Sequence, residues 1–377
     1  MKRMAGFTLI ELLITTLIFV FAIFGATQMF TGMLNQYKQE SKIVETNIEG
    51  IVGLELLRRD IESAGYGLPW NGIGPLALSY LEVDASKGPE AAAAAVFNDA
   101  PTDAPRAVVS GNGTGWNATD YLVIKSTSVG NDDTCKKWTF LYDDDTTKDW
   151  DPDTEDLAPA DRVVVLAPGI NEMTVRTLVP QQDNAATFST LFSTIASDAF
   201  ADDSVTRVAY AVSPDTDPVM PFNRADYYVE IPATATDMPA RCAAGTGILF
   251  KGVMSHGTRE LEPFPLLDCV LDMQVFFKPD TDGNGALDTP VSDIALLPDT
   301  NGSGGTDAQE VRQQIKEIRV YILAQEGQFD RSFTQPTSSI YVGEAPDGRL
   351  FDLTTITDWD HYRWKLYTLV VKPGNLI

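Results

Sequence analysis

GFTLIELLITTLIFVFAIFGATQMFTGMLNQY, residues 6–37, decides how this chain is built. From Phe7 to Tyr37 there is no Lys, Arg, His or Asp, and the one carboxylate is Glu11. A helix of roughly 20 apolar residues crosses a bilayer core, so this run has spanning length. Lys2 and Arg3 stand just before it, and basic flanks stay on the cytoplasmic side, which orients the segment N-in and C-out. A cleaved secretory signal would close a shorter apolar run with small residues. Here the run passes without such a stop into a polar helical pattern. Glu11 is the oddity, because an acid near the bilayer centre costs about 2.5–3.5 kcal/mol and demands a partner.

Beyond the apolar run, Val44, Ile48, Ile51, Leu54, Leu57 and Ile61 recur at spacings of three and four among Glu45, Glu49, Glu55, Arg58 and Arg59. That pattern predicts an amphipathic helix laid on a domain by this apolar face. No proline occurs before Pro69. Gly25, Gly32, Gly50 and Gly53 weaken the helix by about 0.5–1 kcal/mol each without forcing a break. Gly65, Gly67 and Pro69 supply the stop, so one helix is expected from Phe7 to about Ala64, about 85 Å long. Arg58, Arg59 and Asp60 read equally well as a solvated face or as a packing or assembly element.

Gly6-Phe7-Thr8-Leu9-Ile10-Glu11-Leu12-Leu13 closely resembles the type III signal of type IV prepilins. The resemblance implies a peptidase cut after Gly6, methylation of the new amine on Phe7, and a Glu11 carboxylate that meets a neighbouring subunit's amine. Leu56 to Gly67, LLRRDIESAGYG, is similar to the end of the first helix in PilW-type minor pilins. Arg363 to Val371, RWKLYTLVV, is more faintly similar to the closing strand of that class. The likeness is dense over residues 1–67 and carries nothing between there and the C-terminus. It implies an α+β type IV pilin fold, a long N-terminal helix packed on an antiparallel β-sheet. The implied function is that of a minor pilin that primes filament assembly and sits near the tip. Its implied partners are other major and minor pilins, the inner-membrane assembly machinery, prepilin peptidase and a tip adhesin. The implied location is the inner membrane before assembly and the pilus or cell surface after it. A J-type pseudopilin of type II secretion shares the signal and is the competing reading.

The expected organisation is a leader over 1–6, a transmembrane and assembly helix over 7–30, its amphipathic continuation over 31–67 and a β-rich extracytoplasmic domain over 68–377. Short β-rich runs separated by Gly, Pro, Asp and Thr fill that last part. Strands are expected at 107–110, 120–126, 138–142, 162–167, 173–179, 205–212, 227–231, 248–253, 270–278, 318–324 and 365–372. Eleven strands exceed what one small sheet needs, so an inserted β subdomain is expected over about 130–255. The alanine run 91–95 reads as a helical turn or a loop.

The balance of 28 Lys+Arg against 53 Asp+Glu, a formal net charge of −25, repels phosphate backbones and argues against nucleic-acid binding. With two histidines, His256 and His361, and three cysteines, no zinc spacing or imidazole-based catalytic set can be named, and no enzymatic activity is expected. Of the three pairings open to Cys135, Cys242 and Cys269, the expected disulfide is Cys242 with Cys269, since Cys135 falls in an acidic, loop-like stretch.

Pro-Asp-Thr at 279 and at 298 opens two related loops. The first sets Asp280, Asp282 and Asn284 on alternate positions, then Gly285 and Asp288. The second sets Asp299, Asn301 and Ser303 likewise, then Gly304, Asp307 and Glu310. Oxygens at positions 1, 3, 5 and 9 around a glycine at 6 can wrap calcium, which takes about 6–8 oxygen ligands. Calcium is therefore the expected cofactor, although Val291 stands at position 12 of the first loop and a flexible turn is the plain alternative.

Overall fold

The computed structural model describes residues 8–70, 79–101, 103–144, 146–167, 176–179, 188–195, 207–214 and 216–376. Helix α1 runs unbroken over Leu9–Glu62, 54 residues or about 81 Å. Thr8 caps it, and the chain leaves it through Gly65 and Gly67, both at positive φ, as a helix C-terminus favours.

Strands β1 (Val108–Gly111), β2 (Tyr121–Ser126), β8 (Asn223–Glu230), β9 (Gly247–Met254), β10 (Leu261–Pro279), β11 (Ile315–Glu326) and β14 (Arg363–Val371) form an antiparallel sheet in the order β1-β2-β8-β9-β10-β11-β14. A smaller sheet joins β3 (Trp138–Leu141), β7 (Arg207–Ser213), β4 (Arg162–Ala167) and β5 (Thr177–Val179) in that order, with β6 (Thr190–Leu191) paired to β4. β12 (Ser339–Val342) and β13 (Arg349–Asp352) make a hairpin. Two short α-helices, α2 (Pro89–Ala95) and α3 (Ala308–Gln314), and several single 3-10 turns lie between the strands. The chain is thus α+β, with its long helix across the large sheet.

The small sheet ends at Ser213, and β8 and β9 belong to the large sheet. The expected insertion over 130–255 is therefore too long at its C-terminal end; the inserted sheet lies between β2 and β8. Positions 173–175 and 205–206 of two expected strands lie outside the described residues. The alanine run folds as α2. β10 is buried without alternation from Cys269 to Phe277 because α1 covers one face and a second core, with Leu271, Leu323, Val342, Phe351 and Leu353, covers the other.

The buried face of α1 differs from the one the sequence pattern suggests. Leu54, Leu57 and Ile61 are buried, but Val44, Ile48 and Ile51 are more than half exposed. At 100° per residue, the buried positions Thr46, Gly50, Leu57 and Ile61 lie opposite Val44, Ile48 and Ile51. Glycine sets this rotation. A Cβ on Gly53 would stand 2.1 Å from the Leu266 carbonyl oxygen, so the helix backbone rests directly on β10. Gly53→Ala should lower stability by about 1–3 kcal/mol despite alanine's better helix propensity, because a backbone carbonyl cannot move aside. At Gly50 the nearest neighbour is a movable Leu267 methyl at 3.2 Å, and Gly50→Ala should be close to neutral. Thermal melts of the two full-length variants check the contrast.

Candidate functional site

Gly6 and Phe7 lie outside the described residues. The site therefore begins at Thr8, whose side chain accepts from the Glu11 amide at 3.4 Å. Glu11 answers by accepting from the Thr8 amide and hydroxyl, each at 2.9 Å. This reciprocal capping box satisfies orphan amides of the first turn. Glu11 is exposed, as is every described side chain from Leu9 to Leu34, including Phe19, Phe21, Phe24 and Phe30. The segment is long and apolar enough to cross a membrane, and none of its most apolar stretch is buried within the chain.

The apolar surface does not stop there. Val44, Ile48, Ile51, Val52 and Leu56 continue it as a ridge along the solvent side of the sheet-packed half of α1. The sequence pattern identified three of these residues but assigned them to the core.

Of the triplet left open, Arg58 and Arg59 are exposed, Arg58 reaching Glu55 and Glu62 at 3.6 and 3.2 Å. Asp60 is a packing residue. It accepts from the Tyr227 hydroxyl at 2.5 Å and pairs with the Lys251 ammonium at 2.6 Å, joining α1 to β8 and β9. Burial pushes the Asp60 carboxyl above its ordinary value, with Lys251 opposing. Neither partner was legible, since only strand register brings Tyr227 and Lys251 opposite each other.

On the other face of the sheet lies a buried charge network that composition gave no hint of. Arg224 donates to Asp226 at 2.7 and 2.8 Å, to Glu82 at 2.9 Å, to Asn98 at 2.6 Å and to the Ala94 carbonyl at 2.8 Å. Lys125 holds Glu82 and Asp99 at 2.8 and 2.6 Å, and Arg106 holds Asp99 at 2.7 Å. Burial pushes Glu82 up, but Lys125 and Arg224 outweigh it and keep the carboxyl below its ordinary value. Its one sequence signal was Arg224-Ala225-Asp226, two charges on one side of an otherwise buried strand.

Cys242 and Cys269 are joined as a disulfide, with Cα atoms 5.0 Å apart. Cys135 is not in an open loop but buried in a turn, its thiol 3.1 Å from the Val212 carbonyl and pushed up to about 11 by burial.

In the first acidic loop, Asp280 accepts from the Asn284 and Gly285 amides at 3.1 and 2.9 Å. Asp282 takes the Asn284 side-chain amide at 2.8 Å, and Asp288 takes the Thr281 amide at 2.8 Å. In the second loop, Asp299 accepts from Gly302 and Gly304 at 2.6 and 2.9 Å, and Asn301 donates to Asp307 at 2.9 Å. Ser303 donates to the Gly305 carbonyl at 2.7 Å. Asp307 caps α3, and Glu310 folds back over the loop to the Thr300 and Asn301 amides, each at 3.3 Å. Among the described residues, no three Asp, Glu, His or Cys side chains converge on one point that could hold a metal ion.

No family model, curated protein or solved structure matches the chain.

Proposed function

We propose that the chain is a minor pilin: a membrane-inserted prepilin subunit, with a type IV pilin fold, that enters a filament by packing α1 against neighbouring helices. The observation that carries this reading is the apolar ridge Val44, Ile48, Ile51, Val52 and Leu56. A membrane anchor accounts for the exposed apolar surface up to Leu34, but not for a ridge on the half of α1 that already rests on a sheet. Helices of like subunits, stacked along a filament axis, would cover both. The Gly6-to-Leu13 signal and the Leu56-to-Gly67 resemblance support the same reading. The subunit inserts N-in into the inner membrane, and the β-rich part follows it to the cell surface. The J-type pseudopilin shares the signal; the Leu56-to-Gly67 stretch favours the pilus.

N-terminal peptide mass analysis of protein from the native host tests the assignment. The expected chain begins at Phe7 with a methylated amine. An uncut chain, or cleavage after another residue, defeats it.

The calcium expectation belongs to the same proposal, and the second loop carries it better, because Glu310 closes over the loop as a position-12 acid does. With an affinity of about 10⁻⁴–10⁻³ M, about 10 mM calcium should stabilise the full chain by roughly 1.4–2.7 kcal/mol over chelator. Magnesium should not reproduce the shift, and Glu310→Gln should reduce it. Equal melting under all three conditions returns both loops to ordinary turns.

A further inference from the structure

The large sheet presents Tyr227 and Lys251 to α1, so by alternation Arg224, Asp226, Tyr228 and Glu230 face the other way. On that outer face four rings stack side by side across neighbouring elements. Phe97 and Tyr121 lie 4.8 Å apart, Tyr121 and Tyr228 5.5 Å, and Tyr228 and Phe250 5.9 Å between centroids. This aromatic ladder separates two places that handle charge differently.

On one side is the buried network, where the carboxylates of Glu82, Asp99 and Asp226 are matched one for one by Lys125, Arg106 and Arg224. On the other side opens a cleft of about 620 Å³. Trp116, Tyr121 and Tyr228 wall it, and Glu90, Glu230 and Glu260 line it from α2, the end of β8 and the approach to β10. Lys87 is the single basic residue of its lining. Among the described residues, none of the three glutamates has a cationic partner within salt-bridge distance. Burial pushes the Glu230 carboxyl up, and the charge acting on it is the like charge of Glu90. Here the half-buried Glu230 stands beside an aromatic wall with the exposed Glu90 acting on it as a like charge. The cleft has the size of a ligand site, about 300–1,000 Å³.

We propose that this cleft binds an arginine-bearing segment of a partner protein, the guanidinium bridging Glu90 and Glu230 and its methylene stem lying along Trp116, Tyr121 and Tyr228. Arginine fits this site better than lysine. Its planar fork can serve two carboxylates at once, and its weakly hydrated head and apolar stem suit a half-desolvated aromatic groove. The cleft lies on the face turned away from α1, so the inference stands whether or not the chain enters a filament.

Calorimetric titration of the full-length protein in detergent micelles tests it, with the peptide Ac-Gly-Arg-Arg-Gly-NH2 at about 0.15 M salt to screen long-range attraction to the acidic chain. The peptide should bind, and its citrulline counterpart, equal in shape but uncharged, should bind about tenfold more weakly or worse. Glu90→Gln and Glu230→Gln should each weaken binding by a similar factor, and Glu155→Gln, an exposed acid outside the cleft, should leave it unchanged. The two cleft variants should also melt at or above the native temperature when free, because each removes a like-charge repulsion; a structural role for these carboxylates would lower it. Equal binding of the citrulline peptide, an equal loss in Glu155→Gln, or binding of maltotriose in place of the peptide would overturn the proposal.

Discussion

Replacing Arg224 by alanine is expected to cost about 3–5 kcal/mol, a large part of the roughly 5–15 kcal/mol that holds a domain folded. The side chain is fully buried, and its donors are spent on Asp226, Glu82, Asn98 and the Ala94 carbonyl. Its loss leaves the buried Asp226 carboxylate with the Tyr121 hydroxyl but no cation, and leaves Glu82 to Lys125 alone. Arg224→Lys should rescue little, because an ammonium on a shorter stem cannot satisfy acceptors spread around a planar fork. The deficit should also depend on pH. In the native chain Glu82 is held below its ordinary value, so it adds stability at neutral pH that is lost as pH falls through its folded pKa. Without Arg224, Lys125 alone opposes burial at Glu82, so that contribution shrinks. The gap between native and variant melting temperatures should thus be full near neutrality and narrow as pH falls below the ordinary glutamate value of about 4.3, through the lower folded value of Glu82. A variant within about 1 kcal/mol of native at neutral pH would show that the network is not needed for stability.

What the sequence revealed and what it hid follow from the range of each interaction. The length of α1 was legible because its signals are local: an apolar run, the absence of proline, and glycines at the exit. Its rotation was not, since hydrophobicity ranks Val44 and Ile48 above Gly50 and Gly53, whereas contact with the Leu266 backbone requires the smaller residues. β10 extends nine residues before the expected start at Val270. Pro263 and Pro265 discourage a strand reading, but that half of β10 pairs with β9 alone, so each ring sits on a strand with one open side. The ion network was least legible of all. Charged residues are normally surface residues, and Glu82 and Arg224 are 142 positions apart. Glu11 stood out for the opposite reason, as the one acid in an apolar run, and the Thr8-Leu9-Ile10-Glu11 spacing also carried the capping-box signal by which Thr8 holds it.

That contact between Thr8 and Glu11 allows two roles of the carboxylate to be separated. If Glu11 serves only to cap its own helix, glutamine should replace it, because a glutamine at the same position can still accept from the Thr8 amide. If its charge pairs with a neighbouring subunit's N-terminal amine, as the prepilin resemblance implies, glutamine should fail as completely as alanine. Under the proposed function, Glu11→Gln and Glu11→Ala are both expected to lower incorporation into sheared filaments by about tenfold or more, because both lose the charge-assisted hydrogen bond to the neighbour's amine. Membrane insertion should be retained by both, since removing an acid from an apolar segment eases its entry into lipid. Alanine should in addition break the capping box, visible as fraying of the first turn. Membrane fractionation alongside filament co-purification reads both properties in the same cells. Native-like incorporation of the glutamine variant with failure of the alanine variant would reduce Glu11 to a capping residue. Native-like incorporation of both would remove Glu11 from assembly altogether.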